Sequence, residues 1–398
     1  MGLTDSAEHP TVDTSQAALA AARAIAPRFS ARARESEQLR TLPPDLVADA
    51  RGAGLFRLAT PRSLGGAELP PAVIVEIIEE LCRADGSAGW TVPIGNGTAF
   101  LAWLDPAAAI GLLGGRTDVV SACVFAPTGR LVPDGADQLR LGGSWAMSSG
   151  CLHSDLFING AMVFDGDQPR LLPGRGPDWR LAVFPAASGS VVDSWDAAGL
   201  RGTGSHDVVA GSVLVPERHT MAAFFEPARH DGPLWRFPFF TLVGTFLVGF
   251  PLGVARRALD ELAGFAPTKF RPPGPGPIAD DGDLQTALTR AEGGLQAARA
   301  LDFDTIGAMW DSARAGDVPT VEQRARFLLA AQQAMRASIE AVDTVVGFAG
   351  VGAMHADHPV QRCFRDIHAA AQHIYFSAAA TKRYAKVRLG IEQPTFWF

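Results

Sequence analysis

Apolar positions recur at helical spacing from Ser15 to about Gly114. They mark an Ala-rich stretch Gln16 to Arg34, then Pro44 to Ala53, then Pro71 to Arg83, where Ile74, Val75, Ile77, Ile78 and Leu81 form a broad apolar face. The loop Thr60-Pro61-Arg62-Ser63-Leu64-Gly65-Gly66 separates the last two, and the whole predicts an all-helical N-terminal domain. Between Val119 and about Pro216 the pattern changes to short apolar runs split by Gly, Pro and Asp: Ala122 to Phe125, Gln138 to Gly142, Leu156 to Phe164, Leu181 to Phe184 and Asp207 to Val215. That spacing predicts an antiparallel barrel or sandwich. From Phe237 the helical period returns in four long segments, Phe239 to Phe265, Leu284 to Ala313, Val321 to Phe348 and Pro359 to Leu389, the last closed by Gly390 and Pro394. Four such helices predict a C-terminal bundle, with Arg271-Pro272-Pro273-Gly274-Pro275-Gly276-Pro277 as a stiff exposed loop between the first two. The expected fold is mainly α with a central β domain, divided at 1–118, 119–234 and 235–398.

A chain of 398 residues can hold two or three packed domains. Its 35 Lys plus Arg against 42 Asp plus Glu, a net charge of −7, argue against nucleic acid as a partner. Cys82, Cys123, Cys151 and Cys363 are far apart and form no Cys-x-x-Cys pair, which suits small buried residues in a reducing compartment. Asp5, Glu8 and Asp13 interrupt the N-terminus, so no secretory signal is expected. Pro238, Gly244, Gly249, Pro251 and Gly253 break up the most apolar stretch, so no membrane span is expected either. A cytoplasmic location follows as the expectation.

Gly274-Pro275-Gly276-Pro277-Ile278-Ala279 matches a dinucleotide fingerprint by letters, yet prolines interrupt it and no strand precedes it. No Gly-x-Ser-x-Gly elbow, Walker loop or His-Glu-x-x-His is present, and His355 with His358 lacks further ligands, so no metal is expected. A redox enzyme with this sequence would receive reducing power on a diffusible carrier. Candidate chemistry lies in Gly143-Ser144-Trp145-Ala146-Met147-Ser148-Ser149-Gly150, where an indole on which a planar ring could stack precedes two hydroxyls. A buried tryptophan beside a Ser-Ser-Gly turn is the other reading. Arg362, Asp366 and His373 fall at i, i+4 and i+11, one face of a continuous helix, with His368 pointing away; a core histidine is again the alternative. The glycine-rich run from Ser194 to Asp207 reads as a tight turn more readily than as a phosphate cradle.

Asp85-Gly86-Ser87-Ala88-Gly89-Trp90, the Trp145 to Gly150 segment, Gly199 to Asp207 with Val215-Pro216, and Pro359 to Asp366 running on to His373 together resemble the acyl-CoA dehydrogenase superfamily. Within it the chain resembles the two-component (group D) flavin-dependent monooxygenases. The resemblance covers about Leu42 to Leu389. It implies a flavin site lined by Phe125, Pro127, Trp145, Ser148 and Ser149, with Ser148 as the hydroxyl at flavin N5. Gly347 and Gly350 stand where the family's Gln-x-x-Gly-Gly reaches a neighbouring subunit's FAD. The dehydrogenases carry a glutamate base where this chain has Ile374, whereas the monooxygenases often carry a histidine one position earlier, here His373. The implied activity is reduced-flavin-dependent monooxygenation of a small aromatic or amine substrate through a C4a-hydroperoxyflavin, with His373 as acid/base. Diffusible reduced FAD or FMN, molecular oxygen and a separate NAD(P)H-dependent flavin reductase are the implied cofactors and partner, in a homotetramer. Trp90, Asn96 and Phe100 are candidate substrate-pocket residues. A dehydrogenase or oxidase with Asp366 as base, and a non-catalytic oligomeric scaffold, are the alternatives.

Overall fold

A computed structural model describes residues 12 to 398 except Pro272, Pro273 and Pro275. Asp5, Glu8 and most of the proline-rich loop's prolines therefore lie outside the described residues. Helices α1 (Val12–Ala31), α2 (Ala33–Leu39), α3 (Pro44–Gly52), α4 (Pro71–Ala84), α5 (Gly86–Gly95) and α6 (Pro106–Leu113) come first. Strands β1 (Ser121–Pro133), β2 (Gln138–Ser148), β3 (Leu156–Asp165), β4 (Gln168–Pro169), β5 (Leu171–Leu172), β6 (Gly176–Pro177), β7 (Trp179–Pro185), β8 (Ser190–Val192), β9 (His206–Pro216) and β10 (Thr220–Met221) follow. The chain then returns to helices: α7 (Phe239–Leu247), α8 (Gly249–Phe265), α9 (Gly282–Arg314), α10 (Val321–Ala349), α11 (Pro359–Ala370) and α12 (Ala378–Arg388).

The main sheet runs β10-β7-β3-β1-β2-β9-β8, with β4 added at β3. Its pairs are antiparallel except β1 with β3, so the sheet is mixed where the strand spacing predicts a purely antiparallel one. Strand periodicity records which face is buried and carries no information on the direction of the neighbour.

Two of the long helices expected from periodicity are broken. The segment from Phe239 divides between α7 and α8 because Pro251 has no N–H for the Leu247 carbonyl. The segment from Pro359 stops at Ala370, passes through His373 in extended conformation and a 3₁₀ turn Ile374–Phe376, and restarts where the Ser377 side chain accepts from the Ala380 N–H. Gln332 on α10 fills the gap, donating to the Tyr375 carbonyl at 2.6 Å and accepting from the Thr381 hydroxyl. His373 therefore does not share the helical face of Arg362 and Asp366.

A large apolar core joins both helical layers and one face of the sheet, and a smaller one, centred on Trp145, Phe157 and Phe184, lies within the sheet domain. Among the described residues, Phe239–Phe265 and Val321–Met354 reach the length and apolarity of a membrane span; 94% of the most apolar 18-residue window of the first is buried inside the fold.

Candidate active site

The site forms where the end of β2 meets α5 and the break between α11 and α12. Asp85 ends α4 and starts α5, accepting from the Ala88 N–H at 2.8 Å, and so fixes the direction in which Trp90 leaves α5. Ser87 at the same helix start accepts from the Gly202 N–H, and Gly150 donates to the Thr203 carbonyl. These two bonds latch the 201–203 turn and the end of β2 onto α5.

Side chains at the end of β2 are redistributed by an irregularity between Trp145 and Ser148, with Met147 at φ 59°. Trp145 is fully buried, packs against Phe184 and donates to the Gly160 carbonyl at 2.7 Å. It is a core residue, and the expectation that it presents a plate to a planar ligand is corrected: its indole faces the interior of the sheet domain. Ser148 is likewise fully buried, and its Oγ has no hydrogen-bond partner. The side chain left on the outer surface is Met147, 69% exposed.

Ser149 is the hydroxyl that faces the helices. Its Oγ accepts from Trp90 Nε1 at 3.2 Å and pairs with Ser205 Oγ at 2.7 Å. Ser205 pairs with Thr203 Oγ1 at 2.6 Å, and Thr203 donates to the Leu200 carbonyl at 2.7 Å. A carbonyl can only accept, so the chain has one polarity: the proton of Thr203 is directed to Leu200, that of Ser205 to Thr203, and that of Ser149 to Ser205. Ser149 thus accepts from Trp90, donates onward, and keeps one lone pair for a further donor.

The Trp90 ring also meets His373 in a T-shaped contact, with ring centroids 5.6 Å apart at 73°. His373 Nδ1 accepts from the Tyr375 N–H at 3.3 Å, which places the imidazole proton on Nε2. Burial lowers the His373 pKa to about 4, so the ring is neutral at physiological pH and offers Nε2–H as a donor. Of the roles implied for it, a base is disfavoured because Nδ1 is already engaged, and donation is favoured. His368 points elsewhere and pairs with Asp343 at 2.9 Å.

Aromatic contacts extend beyond this pair. Phe250 meets it edge-on at 5.2 Å, and Phe100 contacts Phe125, Phe239 and Phe246 at 5.4, 4.7 and 6.2 Å. Two aromatic groups result, Trp90 with Phe250 and His373, and Phe100 with Phe125, Phe239 and Phe246, with half-buried Pro127 in the irregular stretch of β1 between Val124 and Gly129. Asn96 is corrected: it is fully buried, donates to the Leu55 and Val92 carbonyls and accepts from the Leu58 N–H, so it pins the 55–58 segment and has no donor left for a ligand. Gly347 and Gly350 lie exposed at the far end of α10, away from Trp90 in this chain. His358 caps α11 through Nδ1 to the Val360 N–H. Thr203 and Ser205 were visible only as hydroxyls in a glycine-rich turn, and the register that aims them at Ser149 is a tertiary contact.

Asp366 accepts from the Leu200 N–H at 2.6 Å and is 2% exposed; Gly86 and Gly199 allow the close approach of α5 and of the 199–201 segment to α11. It holds the sheet domain to the bundle and is too enclosed to act as a base on a ligand. Burial first, and then the nearby Asp85, raise its pKa to about 8. A carboxyl held neutral in the folded protein contributes most below its unfolded pKa, and that contribution is lost as pH rises toward 8, by about 1.4 kcal/mol per pH unit for an isolated group. Asp366→Asn keeps the acceptor for Leu200 and removes the titration. Thermal unfolding followed from pH 5 to pH 9 is expected to show the variant gaining on the wild type as pH rises; parallel curves would show that Asp366 does not titrate in this window.

Helices precede and follow the mixed sheet along the chain, and hydroxyls and a histidine meet at the junction, an arrangement that suits an acyl-CoA dehydrogenase-type flavoenzyme. Family models described as acyl-CoA dehydrogenase N-terminal and C-terminal domains match residues 12–105 and 246–378. The chain is 32% identical over 370 residues to the indole-3-acetate monooxygenase of Pseudomonas putida, covering 90% of this chain and 92% of the relative. It is 29% identical to the flavin-dependent monooxygenase oxygenase subunit HsaA of Rhodococcus jostii, covering 88% and 92%. The solved structure of XiaF from a Streptomyces species in complex with FADH2 and glycerol superposes with a TM-score of 0.89 at 25% identity, covering 96% and 97%. The chain belongs to the flavin-dependent monooxygenases of the acyl-CoA dehydrogenase fold, as an oxygenase component that uses reduced flavin. The dehydrogenase alternative also lacks its base, because Ile374 stands at that position, 59% exposed.

Proposed function

We propose that the chain accepts reduced FAD or FMN from a separate NAD(P)H-dependent reductase and inserts one oxygen atom into a small aromatic substrate at the Trp90–Ser149–His373 site. The observation that carries this assignment is the placement of Ser149 and neutral His373 against one indole, Ser149 at its Nε1–H and His373 ring to ring. Reduced flavin supplies the electrons that activate oxygen. The exposed Met147 and the spare lone pair of Ser149 fit a flavin ring whose N5 carries a hydrogen. Ser149 would hold that proton at N5, and the fixed polarity of the Ser205–Thr203 chain keeps it an acceptor. His373 Nε2–H would steady negative charge on the oxygen being transferred, and Trp90, Phe100, Phe125 and Phe250 would exclude water.

Gly347, exposed on α10, and Gly350, exposed just past its end, suit contact with a flavin held by another copy in a tetramer. The test is to mix the protein anaerobically with reduced flavin, add oxygenated buffer, and follow flavin reoxidation by stopped flow. Reoxidation delayed relative to free flavin is expected; reoxidation as fast as in the absence of protein would overturn this reading.

A further inference from the structure

A cavity of about 550 Å³ lies beyond Phe239, between the segment following β10, the start of α7, the α9–α10 turn and the C-terminal tail. Phe224, Trp235, Phe239 and Phe396 give its walls an aromatic part, and charged and small side chains line the rest. Phe239 is shared with the active site, its ring 5.1 Å from Phe125 and 4.7 Å from Phe100. One aromatic ring therefore separates the cavity from the wall of the proposed flavin site, and the volume is that of a small-ligand pocket.

Several polar groups here lack the partners that burial demands. Trp235 is 4% exposed, and its Nε1–H has no acceptor. The buried Nε2 of His230 is also unpartnered. Arg324, half-buried at the start of α10, reaches only the Thr320 and Thr395 carbonyls, with no carboxylate within 4 Å among the described residues. Burial lowers its pKa, as expected for a guanidinium whose charge is incompletely compensated. Of the other charges, Glu226 at the wall is engaged by Arg175 and Arg229, and Glu322 on the same helix acts on Arg324 from beyond ion-pair distance. An aromatic box with free donors and an unpaired guanidinium has the composition of a receptor for a flat acid.

We propose that this cavity is the chamber in which the enzyme selects its substrate, and that the substrate class is an aromatic carboxylic acid. The ring would lie among Phe224, Trp235, Phe239 and Phe396, and the carboxylate would bond Arg324. The step from chamber to oxygen transfer rests on the monooxygenase assignment proposed above, whereas binding in the chamber needs no flavin.

The experiment is equilibrium dialysis of the flavin-free full-length chain with indole-3-acetate and phenylacetate, each against its neutral amide. Wild type is expected to bind at least one acid about tenfold or more tighter than its amide, in line with a hydrogen bond to a charged group. Arg324→Gln is expected to abolish that preference, and Arg324→Lys to restore part of it. Equal affinity for acid and amide with both pairs, or a preference that survives Arg324→Gln, would overturn the proposal. Arg324-dependent binding without any oxygenated product when reduced flavin and oxygen are supplied would uphold the chamber and count against the catalytic roles of Ser149 and His373 instead.

Discussion

His373→Ala is expected to lower product formation by about 10² to 10⁴-fold, the range a well-placed proton donor or acceptor contributes, while leaving affinity for reduced flavin unchanged. The expectation follows from position: the ring sits against Trp90 and presents Nε2–H because Nδ1 is held by the Tyr375 N–H. Its neutral form persists well below neutrality, with a pKa of about 4, so the wild-type product yield should not change between pH 6 and pH 8 through this group. His373→Gln, which retains a side-chain N–H, should recover part of the lost yield. Product measured by chromatography with a fixed supply of reduced flavin, together with flavin titration, checks all three points. A yield in His373→Ala equal to wild type would remove the residue from the chemistry.

Ser149→Ala is expected to divert most of the oxygen consumed into hydrogen peroxide, because the acceptor proposed to hold the proton at flavin N5 is lost along with the Trp90 Nε1 bond. Ser148→Ala is expected to leave the peroxide fraction near wild type, since Ser148 lies inside the sheet domain with no partner in the site. Peroxide per oxygen consumed, measured for the two variants side by side, separates the assignments. A rise in Ser148→Ala alone would return the role to Ser148. Trp90→Phe gives a milder version of the same test: it keeps an aromatic edge against His373 and removes only the N–H that Ser149 accepts.

Much of this site was legible in the residues themselves. Trp90 and His373 stand in motifs whose order marks the family, and the structure sets their rings against each other, while Phe100 packs on Phe125. The choice between Ser148 and Ser149 was not legible, because it depends on how the strand end turns. Strict alternation from Trp145 would put Met147 on the inner face and Ser148 on the outer one, but the irregularity at Met147 interrupts it and buries Ser148 instead. Trp145, which resembles a ligand plate in the motif, is a core residue because it lies on the inner face of β2 ahead of that irregularity and packs on Phe184. Asn96 looked like a pocket residue because an isolated buried amide in an apolar helix invites a function, yet three backbone groups use its hydrogen bonds.

Periodicity in this chain determined the succession of helices, sheet and helices, since the spacing of apolar residues is a local property that each element carries alone. The net charge and the lack of nucleotide-loop or metal-site spacing narrowed the chemistry, and the absence of glutamate at Ile374 with histidine at His373 distinguished two branches of one fold. Contacts between segments far apart in sequence decided the rest. The α11–α12 break that frees His373 from a helix is stabilised by Gln332 from α10. The polarity of the Ser149–Ser205–Thr203 chain is set by the Leu200 carbonyl, and the chamber behind Phe239 is lined by separate parts of the chain. A hydrogen bond's direction and a cavity's walls are properties of neighbours in space, which apolar spacing along the sequence does not encode.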